Sequence, residues 1–153
     1  MRKARKRIGV FFRDVHGSVG FVLPDEAETL KAFFSIAKVF DANTLHGKRC
    51  WLYARTANDS GNPMVLEGQL RLLRLSANKC RMMIVGETYE VASGLTLNRI
   101  GWNKVMAAAT SGAFDVLLVK DMDRMARDCF IAYECLQALD TYGITPVFAD
   151  NLR

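Results

Sequence analysis

The chain is expected to fold as an α/β domain with a largely parallel sheet, preceded by a small ββα appendage. Three observations carry this expectation. From Cys50 onward, short apolar runs alternate with longer segments whose apolar residues recur at helical spacing. The run Val116–Val119 is apolar at every position, as in a central strand covered on both faces. Before about residue 47 the order is different, with two strand-like runs followed by one helical pattern.

Arg7–Asp14 and Val19–Glu26 read as two strands around a His16-Gly17 turn, and Pro24 halts the second. Asp25, with Glu28 three residues on, suits the N-cap of a helix over residues 26–41. Leu30, Phe33, Phe34, Ala37 and Phe40 supply its apolar face, and His46-Gly47 closes the unit. Residues 1–47 are therefore expected as the appendage and residues 48–153 as the main domain.

In the main domain Cys50–Arg55 is a short strand. Asn62-Pro63 opens a helix with Leu66, Leu70 and Leu73 on one side. Arg81–Glu90 is a second strand, Val91–Thr96 a loop and Leu97–Gly112 a second helix. Phe114–Lys120 is the third strand, and residues 121–128 form a short helical segment. The helix from Cys129 stops at Gly143, where a glycine accepts the left-handed backbone of a helix end. Ile144–Asp150 is the last strand, and Pro146 assigns it to a sheet edge because proline donates no ladder hydrogen bond. Trp51 and Trp102 read as packing residues, and His16 and His46 as turn residues.

Half of the 153 residues are apolar, enough for a real core. No run reaches the roughly 18–20 apolar residues of a membrane span, and no secretory leader is recognisable. Cys50, Cys80, Cys129 and Cys135 lack metal-ligand spacing and read as reduced thiols of a cytoplasmic protein. Arg2, Lys3, Arg5, Lys6 and Arg7 account for the whole +5 formal charge, so positive charge sits in an N-terminal arm. Such an arm suits either a polyanion or simple solvation.

The run from Val116 ends abruptly in Asp121, Asp123, Arg124, Arg127 and Asp128. Ligands of open α/β sheets sit beyond the carboxyl ends of the strands. Arg55, Arg99, Arg124 and Arg127 would gather there, and guanidinium forks match phosphate oxygens. The bland alternative is an ordinary i,i+4 ion pair between Asp123 and Arg127.

From Cys50 on, the chain resembles the catalytic domain of serine recombinases, the resolvase and invertase group. The matching pieces are Tyr53-Ala54-Arg55, Gln69, Ala92-Ser93-Gly94, Arg99-Ile100-Gly101 (where the family has Arg-Pro-Gly), and Val119 to Asp128 with its D-R-x-x-R-D element. The resemblance implies a three-layer resolvase-like domain that cuts and rejoins DNA through a phosphoserine, without metal or other cofactor. It also implies DNA as partner, together with a homo-oligomer or another recombinase chain, and no membrane.

On the same resemblance Arg55, Arg124 and Arg127 fall on phosphate-binding arginines and Arg99 on a further active-site arginine. Asp123 matches an acid that orients these arginines or assists proton transfer. Gln69 and Ser93 match polar residues near the nucleophile, and Glu90 stands where an aspartate is usual.

Two departures stand out. The family pattern Tyr-x-Arg-x-Ser reads Tyr53-Ala54-Arg55-Thr56-Ala57, so the nucleophile position holds a methyl group. Thr56 points to the opposite strand face, and Ser60 in the loop is the remaining nearby hydroxyl, a weak substitute. The family's dimerisation helix and DNA-binding region are also expected to be missing after Arg153. Three readings follow: an enzyme using Ser60, a DNA- or partner-binding module without cleavage, and an inactive remnant of a mobile element.

Overall fold

Four parallel strands in the order β4-β3-β5-β6 form the central sheet of the computed structural model. The structure describes residues 41–57 and 64–152, and the backbone of residues 10–13 and 19–22. In the latter, β1 (Val10–Arg13) pairs antiparallel with β2 (Val19–Val22) as the sequence predicts. The His16-Gly17 turn, the Asp25 cap, residues 26–40 of the expected helix, the basic arm and Ser60 lie outside the described residues. Asp41 is extended and caps a 3-10 turn over Ala42–Leu45 by accepting from the Asn43 N–H.

The sheet strands are β3 (Arg49–Thr56), β4 (Met83–Val91), β5 (Val116–Val119) and β6 (Thr145–Phe148). They alternate with α1 (Met64–Lys79), α2 (Ile100–Thr110), the one-turn α3 (Met122–Met125) and α4 (Cys129–Thr141). The chain steps from β3 outward to β4 with α1 on one face. It then steps back across β3 to β5 and on to β6 with α2 and α4 on the other face. Reversing direction while changing face keeps the crossovers of one hand, as twisted strands require.

Side-chain alternation explains the three layers. Cys50, Leu52 and Ala54 of β3 pack with Val116, Leu118 and Val147 under Leu70, Leu73 and Ala77 of α1. Tyr53, Leu117, Val119 and Phe148 pack on the other face with Trp102 and Val105 of α2 and Leu136 and Leu139 of α4. β5 is buried at all four positions because it has strands on both sides and helices above and below. Pro146 lies on the edge strand β6, where its missing N–H leaves no ladder bond unmade.

Leu45 and Ala42 belong to the α1-side core, so the main hydrophobic cluster extends to residues before 48. Gly143 has φ +69° and follows α4, where an added Cβ would strain the left-handed turn. Among the described residues no helix is long and apolar enough to cross a membrane.

Candidate functional site

The sheet order reverses between β3 and β5, and the candidate residues collect beyond the carboxyl ends of these strands. Arg55 is the penultimate residue of β3 and is 1% exposed. Its guanidinium donates three hydrogen bonds to main-chain carbonyls: Nε to Arg124 at 2.9 Å, Nη1 to Ala92 at 2.7 Å, and Nη2 to Asp123 at 2.6 Å. One side chain thus ties β3 to the segment after β4 and to α3. Burial first, and then the nearby Arg99 charge, lower its pKa from the usual arginine value.

Gln69, buried on α1, holds the Arg55 backbone from behind. Its Oε1 accepts from the Arg55 N–H at 3.3 Å and its Nε2 donates to the Arg55 carbonyl at 3.1 Å.

Arg99 precedes α2 and is also 1% exposed. Its Nε donates to the Thr96 carbonyl at 2.8 Å and its Nη1 to the Tyr53 hydroxyl at 2.9 Å. The guanidinium lies over the Trp102 ring, 5.8 Å from its centroid. The Tyr53 hydroxyl donates to Glu90 Oε2 at 2.6 Å. Glu90 also accepts from the Gly101 and Trp102 N–H groups, each at 2.9 Å. The carboxylate therefore satisfies two orphan donors at the positive end of α2. Gly101 permits this approach, since a Cβ there would lie 2.6 Å from the Glu90 carboxyl carbon.

The acidic and basic knot after β5 is a capped turn. Asp121 caps α3 by accepting from the Arg124 N–H at 2.9 Å, and Lys120 bridges Asp121 and Asp150 at 3.3 and 3.2 Å. Arg127 pairs with Asp123 at 3.3 Å, the i,i+4 contact anticipated from spacing, and its side chain is 57% exposed. The Arg127 N–H donates to the Gly94 carbonyl at 3.0 Å. A Cβ on Gly94 would come within 2.6 Å of Arg127 Cγ and 2.8 Å of Arg55 Nη2, so only glycine allows this packing.

Arg55, Arg99, Arg124 and Arg127 thus meet at one rim, in two tiers. Arg55 and Arg99 are enclosed, Arg124 is half-buried and Arg127 reaches solvent. Arg124 Nε and Arg99 Nη2 are buried without a hydrogen-bond partner among the described residues. The Cys135 thiol faces the Arg99 guanidinium and is pushed up to about 12, chiefly by burial. Ala57 is exposed just past Thr56, whose carbonyl accepts from the Ala92 N–H at 2.9 Å. Ser93 Oγ accepts from the Leu95 N–H at 3.1 Å, an ordinary loop-shaping bond. No group of three or more His, Cys, Asp or Glu side chains suited to a metal occurs among the described residues.

The sequence matches Tyr53 as part of the Tyr53-Ala54-Arg55 piece but does not reveal its role between Glu90 and Arg99, and it does not place Cys135 at the site. Tyr53 shares the Arg55 face of β3, and Cys135 comes from α4, far away in sequence. Strand alternation could have flagged the role of Tyr53; nothing in the sequence pairs Cys135 with Arg99.

The fold is a parallel α/β sheet with four arginines gathered at its switch point. The family model for the resolvase N-terminal domain matches residues 50–152, and the chain belongs to this family of serine-recombinase catalytic domains. The C-terminal catalytic domain of ISC1926 TnpA, an IS607-like serine recombinase, superposes with a TM-score of 0.60 at 27% identity, covering 65% of this chain and 68% of that one. A resolvase family site-specific recombinase from Streptococcus pneumoniae gives a TM-score of 0.60 at 26% identity, covering 67% and 72%. The N-terminal catalytic domain of TP901-1 integrase, at 20% identity and a TM-score of 0.60, covering 67% and 78%, shares the fold. No curated protein matches the chain in sequence.

Proposed function

We propose that this chain is a serine-recombinase domain that holds a DNA phosphodiester at its arginine rim and does not cut it. The observation that carries the reading is the pairing of a convergent arginine cluster with Ala57 at the strand end, where the family pattern places the attacking serine. A methyl group cannot attack phosphorus, whereas the cations that would bind the anion are in place. Tyr53 is no replacement: its hydroxyl is enclosed between Glu90 and Arg99, and burial raises its pKa further.

Arg124 and Arg127 are the groups that meet the phosphate, with the solvent-facing Arg127 guanidinium foremost. Asp123 orients Arg127. Arg55 and Arg99 add positive potential from behind and hold the segments in position, supported by Gln69, Glu90 and Ser93. The basic arm of residues 1–7 adds sequence-independent attraction to DNA. In this reading residues 48–153 form the recombinase unit, residues 1–47 an appended unit, and the chain works on DNA in the cytoplasm with a second copy or another recombinase chain. No cofactor enters the scheme.

The test pairs binding with cleavage. Arg124→Ala and Arg127→Ala should each weaken binding to duplex DNA by roughly 1–3 kcal/mol, the range for a lost charge-assisted contact. The wild-type chain should form no covalent adduct with a nicked suicide duplex, and Ala57→Ser should begin to form one. A wild-type adduct that Ser60→Ala abolishes would make the chain an enzyme with a displaced nucleophile. DNA binding that ignores both arginines but disappears on deleting residues 1–7 would move the activity to the arm.

A further inference from the structure

We infer that two copies of this chain associate through the outer edge of β4, strand to strand and antiparallel, into one continuous sheet. The inference rests on the reading above only for the second copy, and names the surface that copy takes. The two edges of the sheet differ. β6 is four residues long and carries Pro146. β4 is nine residues long, MIVGETYEV, with neither proline nor lysine. Free strand edges are ordinarily short or carry such residues, because their unpaired main-chain groups recruit other strands. Among the described residues no strand pairs with the outer side of β4. Its register shift falls between Ile84 and Gly86, so the stretch from Gly86 to Val91 is regular.

The direction of the main-chain groups follows from one bond. The Ala92 N–H donates to the Thr56 carbonyl at 2.9 Å, so the Ala92 main chain faces β3. These groups alternate sides along a strand; those of Thr88 and Glu90 therefore also face β3, and Glu87, Tyr89 and Val91 present theirs outward. Glu87 agrees: the residue is exposed although its side chain is only 27% exposed, which leaves its main chain open to water. Glu87, Tyr89 and Val91 stand in register with Leu52, Ala54 and Thr56, on the α1 side of the sheet. Alternate residues of a strand lie roughly 7 Å apart, so Tyr89 at 63% exposure and Val91 at 48% form one apolar strip along the edge.

Symmetry and charge select a second copy. With a two-fold axis at Tyr89, this residue lies opposite its own mate and Glu87 lies opposite the mate of Val91, so every outward donor meets an acceptor. The Glu87 charge is already matched by Arg74, with Nε to Oε2 and Nη2 to Oε1 both at 2.7 Å, and Glu90 points to the other face, where Tyr53 and the start of α2 hold it. No unmatched charge therefore faces the seam. Pro146 blunts the far edge, so the pairing closes at two copies and does not propagate as a fibre. Antiparallel pairing sets the two arginine rims at opposite ends of the joined sheet.

The experiment uses the full chain without DNA. Light scattering over a dilution series should show a dimer that dissociates. Amide exchange at Glu87, Tyr89 and Val91 should be slower by roughly tenfold or more at the dimer end of the series than at the monomer end, whereas Thr88 and Glu90 should be protected at both. Tyr89→Pro removes an outward donor and leaves the ladder to β3 intact, and should weaken the dimer roughly tenfold or more. Tyr89→Lys puts like charges face to face at the axis and should do the same, and mixing it with Tyr89→Glu should restore a dimer. A wild-type chain that stays monomeric overturns the pairing, even where it binds duplex DNA. A dimer whose three outward amides exchange freely also overturns it, and protection that persists in the monomer assigns the edge to a segment of the same chain. A dimer with these amides protected, in a chain that binds no duplex, upholds the pairing and removes the DNA reading alone.

Discussion

Gln69 grips the main chain of Arg55 at both ends, accepting from its N–H and donating to its carbonyl across 3.3 and 3.1 Å. The two residues stand fourteen apart in sequence, yet the bond couples the first turns of α1 to the strand end where the arginine emerges. Gln69→Ala would leave both backbone groups unpaired in a site closed to water. The expected loss is roughly 1–3 kcal/mol of stability, measurable by urea denaturation. Gln69→Glu keeps an acceptor but no amide donor and should recover only part of it.

Arg55 has the opposite kind of importance, because its side chain joins three carbonyls from separate segments. Lysine offers a point charge that cannot reproduce the planar fork. Arg55→Lys is expected to cost roughly 1–3 kcal/mol and to speed amide exchange at Arg127, whose N–H bonds to Gly94 in the same cluster. Unchanged exchange at Arg127 would show that Arg55 does not hold this turn in place.

At the opposite end of the sheet, Arg49 and Asp115 form a two-pronged pair, with Nε to Oδ2 at 3.1 Å and Nη2 to Oδ1 at 2.9 Å. The Arg49 hydrogen bonds hold the Asp115 carboxyl below its usual value. A group whose pKa is depressed by folding stabilises the native state above its unfolded pKa, and loses that contribution as pH falls through the folded value. Stability should therefore decline below about pH 4, and Asp115→Asn should flatten this part of the acid limb in denaturation series. Both side chains are nearly half exposed, so the slope should also weaken in high salt.

The thiols report core integrity. Burial pushes Cys50 up to about 11 and Cys135 up to about 12, so neither carries much thiolate at neutral pH. Cys50, Cys80 and Cys135 should resist iodoacetamide in the native protein and react on unfolding, as peptide mapping by mass spectrometry would show. Rapid native labelling of Cys135 would mean that α4 opens away from Arg99.

Much of this molecule was legible before any coordinates. The apolar run at Val116–Val119 announced a central strand because a chain covered on both faces has no use for alternation. Pro146 announced an edge because it lacks a donor, and Asp123 with Arg127 announced an ion pair because four residues make about one helical turn. These features depend on neighbours in sequence, so local periodicity and backbone chemistry suffice to find them. Ala57 was equally plain, since the absence of an oxygen needs no geometry.

Only the tertiary structure decided how the four arginines divide their work. Arg55 looked like a free phosphate ligand, but three carbonyls from distant segments converge on it and bury it; Arg127 stays open to solvent. Glu90 became a helix cap because Gly101 lets the start of α2 approach, and Cys135 reached Arg99 because α4 packs on that sheet face. Sequence specifies which charges exist and which element carries each. Burial and the competition among partners, which set what a charge does, arise when separate elements close on one another.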